Sequence, residues 1–270
     1  MATSRRRAAR LPASRRLDRH HLYELAVQDP GTEVALVERV LRRAGQPARR
    51  LREDFCGTAL LAAAWVAAGP GRTADAVDLD PTVLAWARAH RLPALGAAGG
   101  RLRLLRRDVR RGPPGPYDAV VALNFSWQVF HARAALRAYL AAARRALAPG
   151  GALVLDLFGG WLAQQALTER RRLGRGITYV WEHEAFDPVS HRLRCAIHFE
   201  LPGGRTLKRA FRYDWRLWTL PEVADLLLEV GFAEVEVLWD AEPPGVEPRY
   251  LPRLAAVNQG GWLAYLVARR

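Results

Sequence analysis

Between Arg49 and Asp156 the chain alternates short apolar runs with longer helical stretches, and few architectures accept that order. Candidate strands lie near Leu51, near Ala76-Val77, at Leu102 to Leu105, at Ala119 to Leu123 and at Ala152 to Leu157. Such runs suit parallel strands covered on both faces by their crossover helices. The punctuation between them agrees: Asp80 can cap a helix that opens on Pro81, and a helix over Ala134 to Leu147 meets Pro149-Gly150-Gly151 as its stop.

From Ile177 to Trp218 the period changes to two, as in Arg192-Leu193-Arg194-Cys195-Ala196-Ile197-His198-Phe199. Turn signals at Asp187-Pro188-Val189-Ser190 and Pro202-Gly203-Gly204 divide this stretch into three antiparallel strands, a meander inserted into the α/β frame. Thr219-Leu220-Pro221-Glu222 is a capping box for a helix ending at Gly231, and strands at Phe232 to Trp239 and Trp262 to Ala268 close the frame. The expected sheet is seven-stranded and mostly parallel, with the meander, about 177–218, between core strands five and six. Ahead of the first strand, His20 to Gln28 and Glu33 to Arg43 form two helices joined by Asp29-Pro30-Gly31-Thr32. One domain over 20–270 follows, preceded by a basic, flexible tail at 1–19.

Charge and cysteine content narrow the function classes. Nearly half of the net charge of +14 sits in residues 1–20, where seven arginines face Asp18 alone. Lys208 is the only lysine among 41 basic residues, which points to arginine-rich codon usage more than to selection for phosphate contacts, although nucleic acid stays open as a partner. Cys56 and Cys195 are too few for a disulfide framework and lack metal-site spacing, so no metal and a reducing cytoplasm are expected, with a mitochondrial presequence as the alternative. The longest apolar stretch, Ala59 to Gly69, is too short to cross a bilayer.

Chemistry concentrates in Glu53-Asp54-Phe55-Cys56-Gly57-Thr58-Ala59, which links a strand to an apolar helix. Such a crossing brings backbone N–H groups and a helix N-terminus to a ligand, and Gly57 permits close approach. Asp78, 21 positions after Gly57 at the end of the second strand, is placed to accept hydrogen bonds from both hydroxyls of a ribose. Together they indicate an adenosine-containing cofactor. A dinucleotide would ask for Gly-x-Gly-x-x-Gly, and Phe55 and Ala59 stand where glycines would be wanted.

The ordered series Glu53 to Ala59, Val77-Asp78-Leu79-Asp80, Arg107-Asp108-Val109, Pro116-Tyr117-Asp118-Ala119-Val120-Val121 and Leu147-Ala148-Pro149-Gly150-Gly151 resembles the successive motifs of class I, Rossmann-like S-adenosylmethionine-dependent methyltransferases. The resemblance covers about residues 49–158. It implies S-adenosyl-L-methionine as cofactor, with Glu53 at the amino end of the methionine moiety and Phe55, Cys56, Gly57, Thr58 and Ala59 along the turn. It also implies Asp78 at the ribose, with Asp80 beside it among the cofactor-binding residues, Leu79 on the adenine, Asp108 and Val109 at the adenine amino group, and Asn124 and Phe125 beside the transferred methyl. Asp54 competes with Glu53 as the binding acid.

Direct displacement at an activated methyl asks mainly for alignment of the acceptor, so a general base is optional. Asn124 either orients an amine or makes a strand-end turn. If a base is used, His131, His183 and Glu182 are candidates, each equally readable as a structural group. Tyr23 and Gln28 are placed to close over the cofactor, Tyr23 near the reacting atoms. The aromatic meander (Tyr179, Trp181, Phe186, Phe199, Phe211, Tyr213, Trp215, Trp218) would serve as a lid for a small-molecule acceptor methylated on N or O, although most of these rings also suit plain sheet packing. The rival readings are methylation of RNA or another nucleic acid, and a regulatory protein that binds the cofactor without turnover.

Overall fold

The computed structural model describes residues 18–241 and 249–270, so most of the basic tail lies outside the described residues. Two helices lead in, α1 (Arg19–Val27) and α2 (Pro30–Arg43). Asp18 caps the first through the N–H groups of His20 and His21, and Asp29 caps the second with Pro30 in its first turn. The α/β frame then runs β1 (Arg50–Asp54), α3 (Leu60–Ala67), β2 (Thr73–Asp78), α4 (Pro81–Leu95), β3 (Leu102–Arg106), β4 (Tyr117–Ala122), α5 (Arg133–Ala146) and β5 (Leu147–Gly159). Next come four antiparallel strands, β6 (Leu167–Gly174), β7 (Ile177–Asp187), β8 (Arg192–Leu201) and β9 (Arg205–Arg216). The chain closes with α6 (Leu220–Glu229), β10 (Glu234–Asp240), β11 (Tyr250–Pro252) and β12 (Trp262–Arg269).

The main sheet has the order β11-β10-β12-β5-β4-β1-β2-β3. Strands β1 to β5 are mutually parallel, while β12 runs antiparallel to both β5 and β10. The expected seven strands are all present, and the three-residue β11 adds a short edge beside β10. Alternation assigns the two faces: Leu51, Ala76, Ala119 and Val121 pack under α2, α3 and α4, whereas Val77, Val120, Ala122 and Leu155 pack under α5 and α6. At about 25 cal/mol per Å² of apolar area, these two layers supply most of the drive to fold.

The Thr219 capping box forms as the sequence predicts, with Glu222 and Thr219 each bonding the other's backbone N–H. The helix it opens ends where Gly231 takes φ +94° and the Phe232 N–H reaches back to the Leu227 carbonyl. The α5 stop falls earlier than Pro149-Gly150-Gly151, because the chain turns extended at Leu147.

The meander holds one strand more than the three expected. The additional strand, β6, is built from Leu-Thr-Glu-Arg-Arg-Arg-Leu-Gly, which exposes Thr168, Arg170, Arg172 and Gly174 and only half-buries Leu167, Glu169, Arg171 and Leu173. A hydrophobic period is therefore missing, and pairing with β7 supplies the stability instead. One face of this second sheet packs with α1 and Phe158 around Trp181, Cys195, Ile197, Phe199 and Trp215. The sheet thus sits over the carboxyl end of β5.

Candidate active site

The end of β1 sorts its charged residues by face. Arg52 and Asp54 lie on the α5 side in a buried two-point pair (Nε to Oδ1 2.7 Å, Nη2 to Oδ2 2.8 Å), closed by the Tyr139 hydroxyl donating to Asp54 at 3.1 Å. Glu53, between them, faces α3, where its carboxylate accepts the Ala62 N–H at 2.8 Å. That bond caps a helix whose own first position, Ala59, has no capping side chain. Burial pushes the Glu53 carboxyl well above the usual range. Of the two competing acids, Asp54 is locked into the protein and Glu53 alone lies on the side of the loop's helix.

The loop after β1 takes the left-handed backbone of a glycine-rich turn with a single glycine. Phe55, Gly57 and Ala59 have φ of +55°, +52° and +54°. For the two side-chain-bearing residues that geometry costs about 1–2 kcal/mol each. Phe55 turns its ring into the core, 5.8 Å from both Phe130 and Tyr139, and Ala59 is fully buried. The Gly57 N–H donates to Asp78 Oδ2 at 2.8 Å, and the Asp80 N–H donates to Asp78 Oδ1 at 2.9 Å. Asp78 thus clasps the loop to the end of β2.

On its open side a Cβ at Gly57 would meet nothing within 4 Å, and beside it Leu79 is 60% exposed. A bare backbone edge next to an uncovered apolar side chain is a surface suited to a nucleoside. Asp80 is committed to capping α4 through the Thr82 N–H at 2.8 Å. Asp108 is held by Arg110, from Nε at 3.0 Å and from the backbone N–H at 2.9 Å, while Val109 is buried behind it. Cys56 is buried, and burial pushes its thiol well up, so no thiolate nucleophile is presented.

The N-terminal helices reach this loop. The Thr58 hydroxyl donates to Gln28 at 3.4 Å, and Arg91 joins the Thr58 carbonyl (3.2 Å) to Glu24 of α1. Tyr23 lies 4.8 Å from Phe211 and hydrogen-bonds Tyr213 of β9, so it ties α1 to the meander.

At the end of β4, Asn124 and Phe125 are consecutive left-handed residues, φ +58° and +60°. Their N–H groups donate to the two oxygens of Asp156 on β5, at 2.7 and 2.9 Å, and the Trp127 indole donates to the Asp156 carbonyl at 2.8 Å. Burial pushes the Asp156 carboxyl up to about 8. Asp156 escaped the sequence reading, although a lone acid inside Leu153-Val154-Leu155-Asp156-Leu157-Phe158 is a signal, since buried acids need a reason. His131 Nε2 donates to the Asp214 carbonyl at 2.7 Å, which makes it a strut to β9, and Glu182 pairs with His198 at 2.8 Å on the outer meander face. His183 lies on the inner face, 4% exposed. Asp18, His21 and His90 form a group of metal-ligand type, but Asp18 already caps α1 and binds the Trp86 indole at 2.8 Å.

Gly57, Asp78 and Asn124 therefore share the carboxyl edge of β1, β2 and β4, at the point where the strand order reverses, which is where open α/β sheets bind ligands. A family model described as a methyltransferase domain matches residues 56–153. Over those residues, about a third of the chain, the sequence matches a methyltransferase domain. No curated protein matches the sequence. Solved structures do match. A methyltransferase from Streptomyces caelestis is 19% identical with a TM-score of 0.70, covering 91% of this chain and 97% of its own. An amino pentose methyltransferase from Micromonospora echinaspora, solved with S-adenosylmethionine, is 22% identical with a TM-score of 0.68, over 93% and 95% of the two chains. A sugar N-methyltransferase from Streptoalloteichus is 23% identical with a TM-score of 0.65 over 97% of each chain. At these identities the likeness speaks for the fold. Among the described residues no helix is long and apolar enough to cross a membrane.

Proposed function

We propose that this methyltransferase transfers the methyl group of S-adenosylmethionine to an amine nitrogen of a small, polar, sugar-like acceptor. The carrying observation is the Asp78–Gly57 clasp with open space over Gly57, facing the Asn124-Phe125 turn on the same sheet edge. When bound, the cofactor supplies an activated methyl on a sulfonium. Asp78 would hold the ribose, Leu79 the adenine, Glu53 and the loop from Phe55 to Ala59 the methionine end, and Asp108 with Val109 the adenine rim. The Asn124 side chain, next to the reversal point, would orient the acceptor.

The amine is chosen over a hydroxyl because the similar structures include the amino pentose and sugar N-methyltransferases and a glycopeptide N-methyltransferase. A nucleic-acid acceptor is disfavoured because many arginines of the folded body, among them Arg43, Arg72, Arg91, Arg103, Arg133 and Arg192, are already ion-paired. Calorimetry with S-adenosylmethionine and S-adenosylhomocysteine, followed by mass spectrometry of reactions with a panel of amino sugars, tests the proposal. A bound cofactor and a methylated amine support it. No binding of either nucleoside would overturn it, and binding without turnover on any acceptor would favour the regulatory reading.

A further inference from the structure

Folded proteins leave few buried polar atoms without a partner, and each such atom asks for a cause. Here four residues carry them in one region: both amide atoms of Gln128, the indole N–H groups of Trp181 and Trp215, and Nε2 of His183. Gln128 belongs to the short 3-10 turn Ser126–Val129 that follows Asn124 and packs against β9. Trp181 and His183 are two residues apart on β7, with ring centres 5.6 Å from each other, and Trp215 of β9 is 6.0 Å from Trp181. Phe125, from the Asn124 turn, is 5.9 Å from Trp215, and Phe158, at the end of β5, is 6.0 Å from Trp215 and 6.4 Å from His183. The unpaired atoms therefore gather where the meander meets the carboxyl ends of β4 and β5. Ordinary sheet packing accounts for the rings but not for their unpaired nitrogens.

We propose that these groups recognise the methyl acceptor, with the Trp181 and Trp215 N–H groups and the Gln128 amide binding its oxygen functions and His183 Nε2 accepting the proton of its ammonium. This deepens, and rests on, the amine-methylation reading. His183 is preset for the task. Its Nδ1 faces the Gln165 carbonyl at 3.2 Å, and a carbonyl only accepts, so Nδ1 carries the hydrogen and Nε2 keeps its lone pair.

Burial lowers the His183 pKa, opposed by the carbonyls of Gln165 and Leu162 and by the charge of Glu169 on β6. Across the sheet it faces Cys195 on β8, whose thiol burial holds neutral, and Leu167 on β6. A neutral imidazole is thus the resident form. In the step, an acceptor R–NH3+ loses one proton to Nε2, the freed lone pair forms the new C–N bond, and the methyl–sulfur bond breaks with its electrons remaining on sulfur. The methylated ammonium leaves, and the imidazolium returns its proton to solvent.

Three measurements on the full chain decide the matter. Gln128→Leu, which removes a buried amide that no other protein group pairs, is expected to raise the melting midpoint while raising KM for a D-glucosamine probe by up to about tenfold. A lowered midpoint would show that the amide is already satisfied and would overturn its role. Nitrogen-15 NMR of the S-adenosylhomocysteine complex should show Nδ1 of His183 protonated and Nε2 bare at neutral pH, and the reverse would overturn the assignment. His183→Asn keeps a donor for the Gln165 carbonyl. It should lower kcat about 100-fold near neutral pH, leave S-adenosylhomocysteine affinity unchanged, and recover rate as pH approaches the pKa of the acceptor amine. A loss that is the same at every pH marks a structural role and overturns the proposal. If the wild type methylates no amine, the functional reading fails, while the midpoint and the NMR result still decide whether the Gln128 amide and His183 Nε2 are left unpaired by the protein.

Discussion

The Arg52–Asp54 pair is the sharpest place to perturb the frame of this site. Arg52 is 1% exposed, reaches Asp54 at two points and donates to the Val109 carbonyl at 3.0 Å. Arg52→Met would leave the Asp54 carboxylate buried with Tyr139 as its remaining donor. Removing one partner of a buried pair costs about 3–5 kcal/mol, since a charge remains without compensation. At about 2–4 °C per kcal/mol for a chain near this size, the melting midpoint should drop by roughly 6–20 °C. Removing both charges, with Arg52→Met and Asp54→Leu, places two apolar side chains against the Tyr139 and Leu140 layer and should restore most of that loss. Urea denaturation followed by circular dichroism, arranged as a double-mutant cycle, measures the coupling. A single variant costing under about 1 kcal/mol, or a double variant as damaged as the sum of the singles, would refute the account.

Asp78→Asn should weaken S-adenosylhomocysteine binding by about 10–100-fold, since the proposed ribose contact would lose its charge and the Gly57 and Asp80 N–H pair would lose one acceptor; calorimetry reads this. Gly57→Ala adds a Cβ that meets nothing within 4 Å, so it should cost only about 1–2 kcal/mol of backbone strain in denaturation experiments yet sharply weaken S-adenosylhomocysteine binding. Asp156, raised to about 8 by burial, binds its proton more tightly folded than unfolded. Its contribution to stability is therefore full below the ordinary Asp pKa and declines as pH rises towards about 8, so urea midpoints should fall over that window in the wild type and more shallowly in Asp156→Asn. Thr219→Ala should cost about 1 kcal/mol through its lost cap while leaving kcat unchanged.

The legible parts of the site were those written in local chemistry. Asp80 before Pro81 and Thr219 before Glu222 announce their caps, and each forms. The distance from Gly57 to Asp78 pointed to a shared ligand edge, and the two are joined directly. Phe55 and Ala59 looked like departures from a glycine loop, because sequence shows the side chain and not the backbone angle it is made to adopt. The left-handed geometry survives there under strain, with the Phe55 ring held by Phe130 and Tyr139. His131, Glu182 and His183 were equivalent as candidate bases. Their separation into a strut, an outer ion pair and a buried imidazole depends on which face of which strand each occupies.

Sequence alone determined the order of strands and helices, the inserted meander and the place of the loop, because hydrophobic period and capping chemistry act over a few residues. Tertiary structure alone decided that Glu53 and not Asp54 lies on the loop side, that Asp156 anchors the Asn124 turn, and that β6 joins the meander. Each of those outcomes rests on partners far along the chain, such as Tyr139, Asp156 and β7, and no local pattern encodes the meeting of groups that only the folded sheet brings together.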